Sequence, residues 1–193
     1  MADINERIRR SDAERPSLTA GLDEESPAQT EQESALLDLA ELLFFAYRDF
    51  TSEPDKILEQ YGFGRAHHRV LHFVNRHPGM RVADLLEILK ITKQSLGRVL
   101  KQLVDEGFVA QEAGKTDRRE RLLYPTARGQ VLAERLAAPQ LERIARALES
   151  SDGEAQTCIE EFLRHMIGDQ DRAHVSELLK AATSPRDGRP PQA

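Results

Sequence analysis

Residues 92–106 predict a helix whose exposed side carries side chains able to read DNA bases. An arginine such as Arg98 can bond guanine O6 and N7 together, and a glutamine such as Gln94 can bond adenine N6 and N7 in the same way. The first turns of a helix placed in the major groove are the part that reaches base edges. The candidate contact residues on or beside this helix face are Thr92, Lys93, Gln94, Ser95, Gly97, Arg98 and Lys101.

The opposite side of the same segment is apolar. Leucine and valine recur at helical spacing from Leu96 to Val104, which predicts a buried face, and the Thr92 hydroxyl is placed to cap the first turn. A solvated surface helix would also carry Lys and Gln, so the neighbouring elements must decide between the two interpretations. Gly97 costs a helix about 1 kcal/mol relative to alanine. It either lets the backbone approach DNA closely or is a tolerated weak position.

A second basic group lies in a polar loop, 112–120, between predicted strands at 108–111 and 121–124. A flexible basic loop suits the narrow minor groove of DNA, where the negative potential is strongest. The alternative is an ordinary solvated hairpin tip. The candidate residues in this loop are Lys115, Asp117, Arg118 and Arg119.

The elements around these two groups predict a winged helix-turn-helix lobe. Residues 65–76 predict a helix, and 80–82 a short extended segment. Two further amphipathic segments, 83–89 and 93–106, are joined by only three residues, 90–92, which is typical of a helix-turn-helix. The predicted fold class is therefore mainly α, with a small β-hairpin wing and a separate helical region.

Long apolar patterns flank this lobe. From Ser34 to Phe50 the apolar stripe is broad enough to favour burial against a second subunit. Ser52 to Asp55 predict a new helix start after a kink, and Pro139 should bend or break a later helix. A final amphipathic pattern runs from Ala155 to about residue 182.

Charge is distributed unevenly over the 193 residues, whose formal net charge is −6. Residues 1–33 hold four arginines against nine acidic residues, which predicts a disordered acidic arm. Residues 64–128 hold thirteen basic against seven acidic residues, so the predicted lobe is a basic island in an acidic chain. The local charge therefore permits a nucleic-acid partner that the net charge would argue against.

Composition excludes several other classes of protein. The single cysteine, Cys158, cannot form an internal disulfide or a cysteine zinc site, and we expect it to be a small core or interface residue. The charged start and the lack of a long apolar run predict a cytoplasmic protein with no membrane partner. Nothing resembles a nucleophile elbow or a phosphate-binding glycine loop, so we expect neither an enzyme nor a cofactor.

Three motifs in this order resemble the MarR family of winged-helix transcriptional regulators, and within it a PetP-like branch. They are ITKQSLGRVLKQLVDEGFV at 91–109, the wing tip Asp117-Arg118-Arg119, and YPTARG at 124–129, in a resemblance that spans roughly 34–168. The resemblance implies a homodimer formed by the terminal helices, a palindromic operator in double-stranded DNA, and a small effector bound between the dimerisation and DNA-binding regions. It also implies that Asp117 braces the second arginine of the wing.

Two positions depart from the family. Gly97 stands where a small hydroxyl residue is usual, and Lys90 stands in the turn where glycine or asparagine is usual. The second departure predicts that the left-handed residue of the turn has shifted. The expected division of the chain is an acidic arm at 1–33, dimerisation helices at 34–62, the DNA-binding lobe at 63–128, further dimerisation helices at 129–182 and a disordered tail at 183–193.

Aromatic and basic residues before the lobe predict a site for a small aromatic or anionic effector. Aromatic walls with converging donors suit an apolar anion. The candidate ligand-binding residues are Phe44, Tyr47, Arg48, Phe63, Arg65, His68 and His72.

Other interpretations of these features stay open. His67, His68 and His72 could instead hold a metal, although no acidic or cysteine partner lies near them in sequence, and Cys158 could sense oxidants. The protein would then be a metal- or redox-sensing regulator. A winged helix that binds only other proteins is a further alternative, and it would not need the basic residues of the helix and loop.

Overall fold

The computed structural model describes residues 27–114, 116–149 and 154–183. The predicted arm up to residue 26 and the predicted tail from 184 lie outside the described residues. The described residues up to Phe45 and those from Ala46 onward form two units. The element order is α1 Pro27–Glu59, α2 Arg65–Arg76, β1 Met80–Arg81, α3 Val82–Leu89, α4 Lys93–Asp105, β2 Val109–Ala113, β3 Arg121–Pro125, α5 Ala127–Glu149, α6 Ala155–Met166 and α7 Asp169–Thr183. Helices with one small antiparallel sheet confirm the predicted fold class.

Helix α1 begins at Pro27, seven residues before the predicted start at Ser34, so residues 27–33 are helical and not part of an unstructured arm. Proline suits the first helical position because its φ is already helical and its missing N–H has no partner to lose there. The large apolar side chains that the structure describes in the first unit are exposed, namely Leu36, Leu37, Leu39, Leu42, Leu43, Phe44 and Phe45. Among the described residues, no helix is both long and apolar enough to cross a membrane.

The predicted new helix at Ser52 is wrong, because α1 continues through Pro54. Proline cannot donate a hydrogen bond to the carbonyl four residues earlier, which here belongs to Phe50. The buried side chain of Gln140 supplies the missing donor, with its Nε2 3.2 Å from the Phe50 oxygen. Helix α5 likewise runs through Pro139 without a break.

The core of the second unit lies between α2, α3, α4, α5 and the sheet. Strand β3 is central in the sheet order β1-β3-β2, with Met80 opposite Leu123 and Val109 opposite Pro125. The largest fully buried side chains are Phe108, Leu58, Leu71, Leu85, Leu96, Leu103, Leu123, Leu132 and Leu136. The leucine side of α4 packs into this core, as the periodicity of the sequence predicts.

The C-terminal pattern from residue 155 forms two helices, because Ile167 adopts an extended conformation and Gly168 separates α6 from α7. Cys158 is exposed on α6, so it is not a core residue of the single chain, and its predicted place at an interface stays a prediction. No residue of α6 is buried, and Ile159, Phe162, Leu163 and Met166 are 44–57% exposed. The apolar side of α6 is therefore open in the single chain.

Candidate nucleic-acid interface

The start of α4 is fixed by the cap that the sequence predicts. The Thr92 Oγ1 atom accepts a hydrogen bond from the Ser95 backbone N–H at 3.1 Å and donates to the Ser95 hydroxyl at 2.9 Å. Both hydroxyls therefore set the position of the first helical turn. We expect Thr92 and Ser95 to orient the contact face as well as to lie beside it.

Lys90 makes the turn that separates α3 from α4. Its φ of 51° and ψ of 38° are left-handed, so the predicted shift of this conformation to another residue is wrong. A non-glycine residue adopts this conformation at a cost of about 1–2 kcal/mol. The Lys90 Nζ is held 3.0 Å from Asp171 of α7, which fixes the side chain away from the turn.

The face of α4 opposite the core offers hydrogen-bond donors to solvent. Lys93, Gln94 and Arg98 are exposed, and within the described part of the chain no ion pair engages Lys93 or Arg98. Lys101 is paired with Asp105 at 2.5 Å, an exposed contact that phosphate can displace. The helix therefore presents an amide and two unpaired cations on one surface, the chemistry required for major-groove contact.

Gly97 lies on the same surface, and a Cβ atom added there would meet no atom within 4 Å. The fold itself therefore does not require glycine. We expect Gly97→Ala to raise the free energy of unfolding by about 1 kcal/mol, because alanine is the better helix former. We also expect the added methyl group to weaken binding to the operator duplex.

Thermal melting and fluorescence anisotropy on the same preparation measure the two effects of Gly97→Ala. A more stable variant with unchanged DNA affinity would contradict a close approach of the helix backbone to DNA at this position.

The wing loop is shaped by its own backbone and by one carboxylate. The Arg119 backbone N–H donates to Asp117 Oδ1 at 2.8 Å, and the Gly114 N–H donates to the Glu120 carbonyl at 3.1 Å. Asp117 thus braces Arg119 through the main chain and leaves its guanidinium free to extend. Arg118 and Arg119 are exposed, and no ion pair within the described ranges holds either of them. Lys115 lies outside the described residues.

Two contacts that the sequence did not suggest hold the wing and α4 in place. The Arg81 guanidinium lies 2.6 Å from Asp84 of α3 and 3.3 Å from Glu120 of the loop, and these hydrogen bonds raise its pKa. His67 Nε2 lies 2.9 Å from Gln102 Oε1 of α4, while its Nδ1 accepts from the Gly64 N–H. Because Nδ1 accepts, the ring proton belongs on Nε2, which donates to Gln102.

The candidate effector residues of the second unit differ in burial and in their partners. Phe63 is only 6% exposed and packs in the core, stacked on His67 at 4.7 Å between ring centres. Phe44 is exposed but belongs to the first unit, whereas the other six candidates belong to the second. Arg48 is paired with its neighbour Asp49 at 2.8 Å.

Tyr47 and Arg65 are the candidates that the structure brings together. The Arg65 guanidinium lies 5.7 Å from the centre of the Tyr47 ring and 2.9 Å from an Asp55 oxygen. The hydrogen bond to Asp55 is the main reason that the pKa of Arg65 is raised. An anion would have to compete with Asp55 for this cation.

His68 and His72 are half-buried on α2. The pKa of His72 is lowered to about 4, mainly by burial and in addition by the neighbouring Arg76, His68 and His77. Burial also lowers the pKa of His68, against the opposing effect of Asp55. Both imidazoles are therefore neutral at pH 7 and offer an anion an N–H but no charge. No group of three His, Cys, Asp or Glu side chains in the described ranges is placed to hold a metal ion.

Comparison with known proteins gives a consistent assignment. The model of the MarR family matches residues 61–120. The HTH-type transcriptional regulator PetP of Rhodobacter capsulatus is 44% identical over 142 residues, which cover 74% of this chain and 85% of that protein. The crystal structure of a MarR family transcription regulator matches with a TM-score of 0.61 at 16% identity, covering 79% of this chain and 98% of that one. A mutant MarR from E. coli complexed with operator DNA matches with a TM-score of 0.54 at 18% identity, covering 69% and 96%.

The two solved structures share the fold of this chain. The match to the Rhodobacter relative covers more than two thirds of each protein. These proteins are described as regulators and not as enzymes. The chain belongs to the MarR family of winged-helix, DNA-binding transcriptional regulators, in a PetP-like branch.

Proposed function

We propose that the protein is a homodimeric transcriptional regulator that binds a palindromic operator in double-stranded DNA. The recognition helix, 92–106, lies in the major groove, and the wing loop, 112–120, contacts the adjacent minor groove. The observation that carries this proposal is the open face of α4, where Lys93, Gln94 and Arg98 are exposed while Leu96 and Leu100 anchor the opposite side. A regulator of this kind acts where the chromosome lies, so we place it in the cytoplasm.

Exposed apolar side chains of the terminal helices support the homodimer. On α6, Phe162 and Leu163 are about half exposed, and on α1 Leu37 and Leu42 are 61% and 63% exposed. Large apolar side chains exposed at helical spacing are unfavourable on a monomer and typical of permanent interfaces. In a homodimer with two-fold symmetry, each copy of the chain contributes the same apolar surfaces to the interface.

A charge placed on the apolar side of α6 tests the dimer. We expect Phe162→Glu to convert the protein from dimer to monomer at micromolar concentration, because the carboxylate would be buried without a partner. Thr157→Glu, which adds the same charge to the opposite side of α6, should remain dimeric. Sedimentation velocity measures the mass, and a footprint on DNA should show two half-sites centred about 10 base pairs apart. A monomeric wild-type chain or a footprint over one half-site would contradict the proposal.

We further propose that a small aromatic acid modulates DNA binding at the surface formed by Tyr47 and Arg65. The aromatic ring would stack on Tyr47, and its carboxylate would displace Asp55 from Arg65, with the His68 N–H as an additional donor. A difference of about 1.4 kcal/mol in ligand affinity between DNA-competent and incompetent dimers would change operator affinity tenfold.

A panel of phenolic and aromatic carboxylates tests this modulation. We expect active members to raise the melting temperature and weaken operator binding, and we expect Arg65→Ala and His68→Ala to remove both effects. Arg76→Ala, at the other end of α2, is the matched control and should respond like the wild type. If no compound in the panel changes either quantity, this surface does not control the protein.

A further inference from the structure

A cavity of about 450 Å³ lies between α7 and the elements β1, α3 and β3. Its walls are largely apolar, with Met80, Ile88, Leu122 and Leu178 among the lining residues. Asp171 at the start of α7 is tied to Lys90 at 3.0 Å, so an ion pair already holds this helix to the lobe. A cavity of this volume with apolar walls and a few polar groups is typical of small-molecule sites.

One residue of the cavity lining, His174, has a buried side-chain nitrogen without a hydrogen-bond partner among the described residues. The Nε2 atom of His174 is buried, and no described residue forms a hydrogen bond with it. Buried imidazole nitrogens are normally satisfied, because an unmade hydrogen bond in an apolar environment is unfavourable. His174 Nε2, on a residue that lines this cavity, is therefore a hydrogen-bonding position that no described residue satisfies.

The charges of the lining indicate what that group is. The Arg81 guanidinium is already bonded to Asp84 and to Glu120, so it offers little to an anion. Glu177 lies one turn after His174, lines the same cavity and has no ion pair within the described ranges. Apart from its histidines, the lining carries two carboxylates, Asp84 and Glu177, against one guanidinium, Arg81. This balance favours a cation over an anion.

We propose that this cavity binds a small primary amine with an aromatic or other apolar body. The ammonium group donates hydrogen bonds to His174 Nε2, in the tautomer that carries its proton on Nδ1, and to the Glu177 carboxylate. The apolar body lies against Ile88 and Leu122. Because its walls come from α3, β3 and α7, a bound amine joins the C-terminal helix to the DNA-binding lobe.

Isothermal titration calorimetry on the full chain with 2-phenylethylamine at neutral pH tests the site. We expect saturable binding of one amine per chain, weaker binding of the neutral 2-phenylethanol and no binding of phenylacetate. His174→Leu and Glu177→Gln should each weaken binding of the amine at least tenfold. His165→Leu, an exposed histidine of α6, is the matched control and should bind like the wild type.

Glu177 is exposed, so its replacement by glutamine leaves the fold intact even if His174→Leu loses stability. Absence of saturable heat with the amine, equal affinity for phenylacetate, or unchanged binding in both variants would overturn the proposal. The lining of this cavity includes none of the residues proposed to bind an aromatic acid, and the titration contains no DNA. Failure here would therefore leave the proposed operator binding and its modulation at Tyr47 and Arg65 untouched.

Discussion

Arg98→Ala should reduce the free energy of operator binding by about 1–3 kcal/mol and relax base preference at one position in each half-site. Arg98 is exposed on α4, and the described residues provide no carboxylate partner that would have to be displaced. Its backbone is held by the buried Leu96 and Leu100 on the opposite side of the helix. Loss of the guanidinium therefore removes a contact without disturbing the helix that carries it.

Arg119→Ala provides the comparison, because the wing contact is expected to be mainly electrostatic. It should weaken binding to operator and random duplexes equally. It should also reduce the slope of log K against the logarithm of the salt concentration by about one. The Asp117 contact goes to the Arg119 main chain, so the loop backbone survives this substitution. Anisotropy titrations over a series of salt concentrations separate the two variants. If Arg98→Ala also weakens binding to both duplexes by the same factor, Arg98 does not read bases.

Gly129→Ala should be the most damaging single-methyl change at the base of the wing. A Cβ atom at Gly129 would lie 2.0 Å from the Phe108 carbonyl oxygen and 3.0 Å from its carbon, both backbone atoms. The neighbouring Thr126 hydroxyl donates to the Gly107 carbonyl at 2.7 Å and accepts from the Gly129 N–H at 3.0 Å. The methyl group must push α5 away from the Phe108 backbone, just before β2, and break these hydrogen bonds.

We expect Gly129→Ala to destabilise the fold by about 3 kcal/mol, at the upper end for overpacking. For a protein of this size the melting temperature should then fall by about 6–12 °C. Circular dichroism melting measures the effect, and Gly97→Ala, where a Cβ meets open space, is the matched control. Equal melting temperatures for Gly129→Ala and wild type would show that the contact between Gly129 and the Phe108 backbone can relax without loss of stability.

Local signals in the sequence were sufficient for the centre of the fold. Periodicity predicts α4 and its leucine side, and the Thr92 hydroxyl predicts its cap, as the structure confirms. Alternation with turn residues placed β2 and β3 around the wing loop. These features depend on residues within a few positions of one another, which is why a single sequence reveals them.

Features set by distant partners were missed. Pro54 resembles a helix start, and only Gln140, far along the chain, supplies the donor that lets α1 continue. The contact from Arg81 to Glu120 and the burial of Phe63 against Phe108 also join distant segments. The conformation of Lys90 was predicted wrongly for a different reason. A lysine here adopts the left-handed conformation that glycine adopts at lower cost.

The most direct test of base reading by α4 is the affinity of the full-length protein for two duplexes of equal length and composition. One carries a site selected from a random-sequence pool, and the other carries the same bases scrambled. At physiological salt we expect the selected duplex to bind at least about 10³-fold more tightly. Affinities within a few-fold of each other would contradict sequence-specific recognition and leave the basic face of α4 as a nonspecific contact for phosphates.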